Sequence, residues 1–226
     1  MIIDRKILIT FIILISTFFL FEFTNIDLFV ESFFYDNVSN KWMLKHVKGS
    51  LLDTVFYTGV KKVIILFTVF ILFLYLYSFK ASAIKLKEYR SGLLIVWLSV
   101  AIVPFVIGLL KATTNVPCPC DSLYFGGNYP YIKALDSMPQ EILKKFKCYP
   151  AGHASGGFAL MSLFFLFKSR RNKILALTVA LTIGWSMGLY KMFLGDHYLS
   201  HTIITMLLSW LLILIIKKVV NKYCKL

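Results

Sequence analysis

Charge is scarce in this chain, and acid is the scarcer part of it. Only 16% of the 226 residues are Asp, Glu, Lys or Arg, and only 11 are acidic. With 58% hydrophobic residues and a mean hydropathy of +0.75, that shortage excludes an ordinary soluble domain, for which about a quarter of the residues are charged. The apolar residues are spread evenly, which also excludes a soluble domain with a single anchor. No internal repeat and no low-complexity linker divides the chain, so it reads as one membrane-embedded domain over 1–226. The shortage of acid leaves a net charge of +14, which in a soluble protein would point to nucleic acid. Here the basic residues sit in short loops between apolar runs, where the positive-inside rule accounts for them, and no nucleic-acid partner is implied. Nor does a small-x-small cleavage pattern follow the first apolar run, which ends Glu22-Phe23-Thr24-Asn25. That run is an uncleaved span rather than a signal peptide.

Six apolar runs approach the roughly 20 residues that a helix needs to cross about 30 Å of hydrocarbon. They lie at about 7–23, 60–79, 91–110, 152–167, 174–194 and 199–216. The expected fold is therefore all-α, a polytopic membrane protein with six transmembrane helices. The fourth run is short, and its first turn belongs in the headgroup region. Six spans place both termini on one side. That side then holds 14 of the 25 Lys and Arg but two of the 11 acids, Asp4 and Glu88, so it is the cytoplasmic side. Residues 24–59, rich in Phe, Tyr and Trp42 among scattered charges, read as an interfacial helix that either anchors or forms a lid. The outer loop 111–150 carries Pro117, Pro119, Gly126, Gly127, Pro130 and Pro139 and is a structured loop rather than a helix. Loops of that length tend to be functional.

Topology gathers the chemistry on the outer face. Lys111 ends the third span. Pro150-Ala151-Gly152-His153 opens the fourth, at a helix N-terminus whose free N–H groups suit an anion. Lys191, Asp196, His197 and His201 surround the turn between the fifth and sixth. Ionisable groups at span ends are costly enough to mark a site. Lysines and backbone N–H groups stabilise a highly charged anion, one histidine can attack, and another can protonate a leaving oxygen. The set fits metal-free phosphoryl transfer through a phosphohistidine. A rival is zinc on His197 and His201, which are spaced i, i+4, with His153 or Asp196. The flanking lysines and the lack of a His-Glu-x-x-His pattern oppose it, and neither metal nor cofactor is expected.

These three stretches resemble the signature motifs of the type 2 phosphatidic acid phosphatase superfamily, relatives of the vanadium haloperoxidases. The first motif, Lys-x6-Arg-Pro, is matched by Lys111 and Cys118-Pro119. The second, Pro-Ser-Gly-His, is matched by Pro150 to His153. The third, Ser-Arg-x5-His-x3-Asp, is matched by Tyr190-Lys191, His197 and His201. By resemblance His197 is the nucleophile, His153 the general acid, and His201 stands where an Asp orients the nucleophile. Lys111, Lys191, Gly152 and the backbone of Ala151 would hold phosphate. Cys118 and Lys191 replace phosphate-binding Arg residues, and Lys lacks the bidentate fork of Arg. Cys118-Pro119-Cys120, Gly126-Gly127 and the run Cys148 to Phe158 resemble a bacterial subgroup of lipid A phosphatases. That resemblance implies a multi-pass inner-membrane enzyme with its site facing the periplasm and a membrane lipid phosphate as substrate. Undecaprenyl diphosphate, phosphatidylglycerol phosphate and lipid-to-lipid phosphotransfer are the alternatives, with a non-catalytic binder of anionic lipid as the reading of a different class. Asn128, Tyr129 and Lys133 are candidate headgroup contacts. In an oxidising compartment Cys118 or Cys120 would bridge to Cys148, clipping the first motif to the second, while Cys224 would stay reduced on the other side.

Overall fold

The computed structural model describes residues 4–47, 49–80 and 84–223. Cys224 lies outside them. Among the described residues, five helices are long and apolar enough to cross a membrane: α1 (Arg5–Phe23), α3 (Val60–Tyr77), α4 (Arg90–Thr113), α6 (Arg170–Phe193) and α7 (Leu199–Tyr223). A short α2 (Ile26–Glu31) follows α1. The remaining expected span is a hybrid. It begins as α5 (Gly152–Ala159) and tightens into a 3-10 run, Leu160–Phe165.

The hybrid runs through the middle of the bundle and packs against α4, α6 and α7. Its Ala154, Phe158 and Ala159 are fully buried beside Val96, Val103 and Ile107 of α4 and Ile213 of α7. Glycine permits the tightest crossing. A Cβ on Gly157 would stand 2.7 Å from the Gly184 backbone, and one on Gly184 would strike the Phe158 ring. Small residues at such a crossing let two backbones approach closely, which is how helices gain packing energy in lipid. α1 docks on α7 and α3 on α4, and both turn most of their apolar surface outward.

Residues 24–59 are not a continuous interfacial helix. After α2 the chain forms a two-stranded antiparallel hairpin, β1 (Tyr35–Asp36) and β2 (Lys41–Trp42), with Tyr35 opposite Trp42. The hairpin places Tyr35 and Trp42 against Phe125 of the outer loop, at ring separations of 5.1–5.5 Å. Trp42 also lies on Gly195, whose φ of +73° and lack of a side chain make the α6–α7 turn possible. Aromatic packing onto this turn, rather than an amphipathic face in the membrane plane, organises the segment. The outer loop is structured as expected. Two 3-10 turns, Pro119–Asp121 and Leu123–Phe125, are held by an exchange of backbone hydrogen bonds with Tyr129. A disulfide joins Cys118 to Cys148.

Gly184→Val should lower the unfolding midpoint of the detergent-solubilised protein by about 4–10 °C, because overpacking a tight site costs about 2–3 kcal/mol. Thermal melting of the two proteins side by side measures it, and an unchanged midpoint would mean that the α5–α6 crossing is not close-packed.

Candidate active site

The stretch Cys148-Tyr149-Pro150-Ala151 leads into α5, and its polar groups are satisfied by neighbouring elements. Ala151 donates its N–H to Thr205 Oγ1 at 2.9 Å, with the His201 carbonyl 3.3 Å away. The Thr114 hydroxyl donates to the Tyr149 carbonyl, and the Tyr149–Pro150 peptide is cis. The first residues of α5 are thereby tied to the end of α4 and the start of α7.

This tie opens a cavity of about 310 Å³, lined by Lys111, His153, Lys191, Asp196 and His197, with Asp53 and the disulfide completing the wall. The His153 and His197 rings are 6.2 Å apart across it. Lys111 reaches over the α5 N-terminus, with its Nζ 3.9 Å from where a Gly152 side chain would begin. Lys191 is buried and bonds Asp196 Oδ2 at 2.8 Å. Below the cavity His197 Nδ1 and His201 Nδ1 stand 3.5 Å apart, both rings buried. His197 thus turns Nδ1 toward His201 and leaves Nε2 for the cavity. Burial, with the His201 imidazole and the Lys111, His153 and Lys191 charges adding to it, holds the His197 pKa well below its ordinary value. Burial therefore favours the neutral imidazole, which keeps a lone pair.

The arrangement brings together Lys111, Gly152, His153, Lys191, His197 and His201, which the sequence analysis singled out. It removes four others. Ala151 is fully buried with its N–H engaged by α7, so that N–H cannot hold phosphate. Lys133 donates to the Glu22 and Thr24 carbonyls at 2.9 and 2.8 Å, tying the outer loop to the end of α1. Tyr129 packs on Phe146 in the body of the loop, and Asn128 is exposed away from the cavity. Of the cysteines, Cys118 pairs with Cys148, and Cys120 stays outside the bridge with its backbone N–H on the Gly195 carbonyl. Cys148, His197 and His201 have side-chain donor atoms all within 4.8 Å of one another, but the Cys148 sulfur is committed to the disulfide and is no thiolate.

Other residues at this site went unnoticed in the sequence. Asp53 accepts from the Tyr190 hydroxyl at 2.8 Å. Asp27 Oδ1 accepts the Ser200 N–H at 2.8 Å, capping the first turn of α7, which carries His201. Burial, outweighing the Ser200 bonds, raises the Asp27 pKa to about 6. One turn on, Glu31 is fully buried, with no hydrogen-bond partner for either oxygen among the described residues, and burial next to Asp27 pushes its pKa to about 9. The spacing Asp27-x3-Glu31 was a usable signal, since two acids on one face of an apolar helix are costly unless the fold uses them.

A model of the PAP2 superfamily matches residues 92–224. Comparisons with curated proteins and with solved structures return no significant match.

Two outcomes follow from the α2 acids. A raised carboxyl favours the folded state in its neutral form, so the Glu31 contribution is complete below about pH 4.5 and is lost as pH climbs toward about 9. Glu31→Gln should match the wild-type stability near pH 4.5 and exceed it increasingly toward pH 9, by up to about 1.4 kcal/mol for each pH unit climbed, read from melting curves at each pH. A constant gap across that range would contradict a neutral Glu31. Asp27→Ala should cost about 1 kcal/mol of stability through the lost cap, read from the same melts at pH 7.

Proposed function

The chain belongs to the PAP2 superfamily, whose members are phosphatases acting on phosphate esters, and on that premise we propose that it dephosphorylates a membrane lipid through a phosphohistidine. The multi-pass helices make it a membrane protein. The observation that carries the reading is the pairing of two imidazoles across a cavity whose other walls are Lys111, Lys191 and the α5 N-terminus.

His197 Nε2 attacks phosphorus while Nδ1–H is oriented by His201 Nδ1, which stands where the family has a carboxylate. The N–P bond forms and the P–O bond breaks, and His153 gives its proton to the leaving oxygen. Water, deprotonated by His153, then attacks phosphorus, and the N–P bond breaks to release phosphate and restore His197. Lys111, Lys191 and the Gly152 N–H hold the non-bridging oxygens and the charge that builds on them. An alcohol in place of water would turn the same intermediate to phosphotransfer.

A second cavity supports a lipid substrate. It measures about 320 Å³, lies between α3, α4 and α5, and shares Lys111 and His153 with the first. Beyond Ile64 it meets an apolar groove of about 560 Å³ formed by α3, the 3-10 run and α6. An acyl chain can lie there while its phosphate reaches His197, and Lys61 at the junction is placed for a second anionic group. Lipid A suits such a layout, with the site on the periplasmic face of the inner membrane and both termini in the cytoplasm. Undecaprenyl diphosphate and phosphatidylglycerol phosphate are the next substrates to compare.

Phosphate release from these three lipids, measured with purified protein in detergent and a chelator present, tests the reading. His197→Ala should reduce release by at least about 10³-fold while the melting midpoint stays near wild type. Release that survives the substitution would overturn the mechanism. No release from any lipid by folded wild-type protein would favour a non-catalytic lipid-binding role.

A further inference from the structure

The disulfide is the cavity wall nearest the two histidines of the α6–α7 turn. Cys148 Sγ lies 3.7 Å from His197 Nδ1, and His201 Nδ1 lies 3.5 Å from that same nitrogen. A tetrahedral Zn²⁺ bound by one thiolate at about 2.3 Å and imidazoles at about 2.0–2.1 Å spaces its ligand atoms about 3.6 Å apart for S···N and about 3.4 Å for N···N. The two spacings that meet at His197 Nδ1 match those values, and Cys148, His197 and His201 bring their ligand atoms within 4.8 Å of one another. The bond from Cys148 to Cys118 is what denies the metal its thiolate.

We propose that reduction of the Cys118–Cys148 disulfide creates a Zn²⁺ site from Cys148, His197 and His201, and that the bound metal silences the reaction centre. A dithiol supplies two electrons and two protons to the S–S bond, yielding two thiols and its own cyclic disulfide. Zn²⁺ then displaces the Cys148 thiol proton and takes the Nδ1 lone pairs of both imidazoles, their protons resting on Nε2. The cavity supplies a water for the fourth position. With metal on Nδ1 and hydrogen on Nε2, His197 has no lone pair left for attack. Metal binding and phosphoryl transfer therefore exclude each other.

Against the repulsion from Lys111 and Lys191, the thiolate contributes one negative charge, and Asp196, also on the cavity wall, offsets Lys191 at 2.8 Å. The silencing part rests on the phosphatase reading above, whereas the metal site does not, so the two are tested separately.

Co²⁺ serves as a spectroscopic stand-in for Zn²⁺. Full-length protein is reduced with dithiothreitol, desalted without oxygen and titrated with Co²⁺ beside the oxidised protein. The reduced protein should take up one equivalent, with thiolate-to-cobalt charge-transfer absorption and the intense d–d bands of a tetrahedral ion. Oxidised protein should show neither. Cys118→Ser, which frees Cys148 without any reductant, should bind Co²⁺ untreated, and Cys148→Ser should show no charge-transfer band under any condition. Melting curves in parallel confirm that each form is folded. In the activity arm, Zn²⁺ should cause loss of phosphate release by reduced protein alone, reversed by chelator. No charge-transfer band in either reduced wild type or Cys118→Ser, or a band that persists in Cys148→Ser, would overturn the site. A bound metal that leaves release intact would overturn the silencing.

Discussion

Ala151 gives its backbone N–H to Thr205 Oγ1, one residue before the chain turns helical. Buried backbone polar groups need partners, and Cys148 to Ala151 is a buried, irregular stretch. The Thr205 hydroxyl meets that demand while spending its own hydrogen on the His201 carbonyl at 2.7 Å. One short relay thus joins the start of α5 to the turn of α7 that holds the histidines. The positions of His153 and His201 relative to each other depend on it, and so does the shape of the cavity between His153 and His197.

Around this relay the electrostatics sort themselves by depth. Two lysines approach from helix ends, where their stems lie along apolar surface and their ammonium groups reach the cavity. The imidazoles sit deeper, and burial favours the uncharged form of His197. A cationic rim over a neutral imidazole can draw an anion without favouring protonation of the ring beneath it. Asp196 balances Lys191, and Asp53, through Tyr190, fixes the residue before it. The hairpin carrying Trp42 covers Gly195, so the turn between these groups is packed from above as well as from below.

Five spans were legible because a bilayer demands about 20 apolar residues per crossing, and that demand writes itself into length. The close approach of Gly157 to Gly184 was not legible, because it is a contact between distant positions. The histidines and lysines of the cavity could be gathered from topology alone, since each ends or begins a span on the same face. Asp53 could not, because its partner Tyr190 lies 137 residues away. The place of Lys133 was hidden for the same reason: the groups that occupy it are backbone carbonyls at the end of α1, which carry no mark in sequence. Cys118 and Cys120 are two residues apart, and spacing could not separate them. The 3-10 turn that sends the Cys120 N–H to Gly195 does.

α3 wears most of its apolar surface outward and forms one side of the groove beside the cavity. A hydrocarbon chain moving into that groove leaves surroundings as apolar as those it joins, so the transfer itself carries almost no driving force. Partitioning between bilayer and protein then rests on the head of the lipid, where cations and N–H groups replace water. A binding site of this kind is indifferent to tails and exacting about heads. Its effective substrate concentration is counted per area of membrane rather than per volume of water.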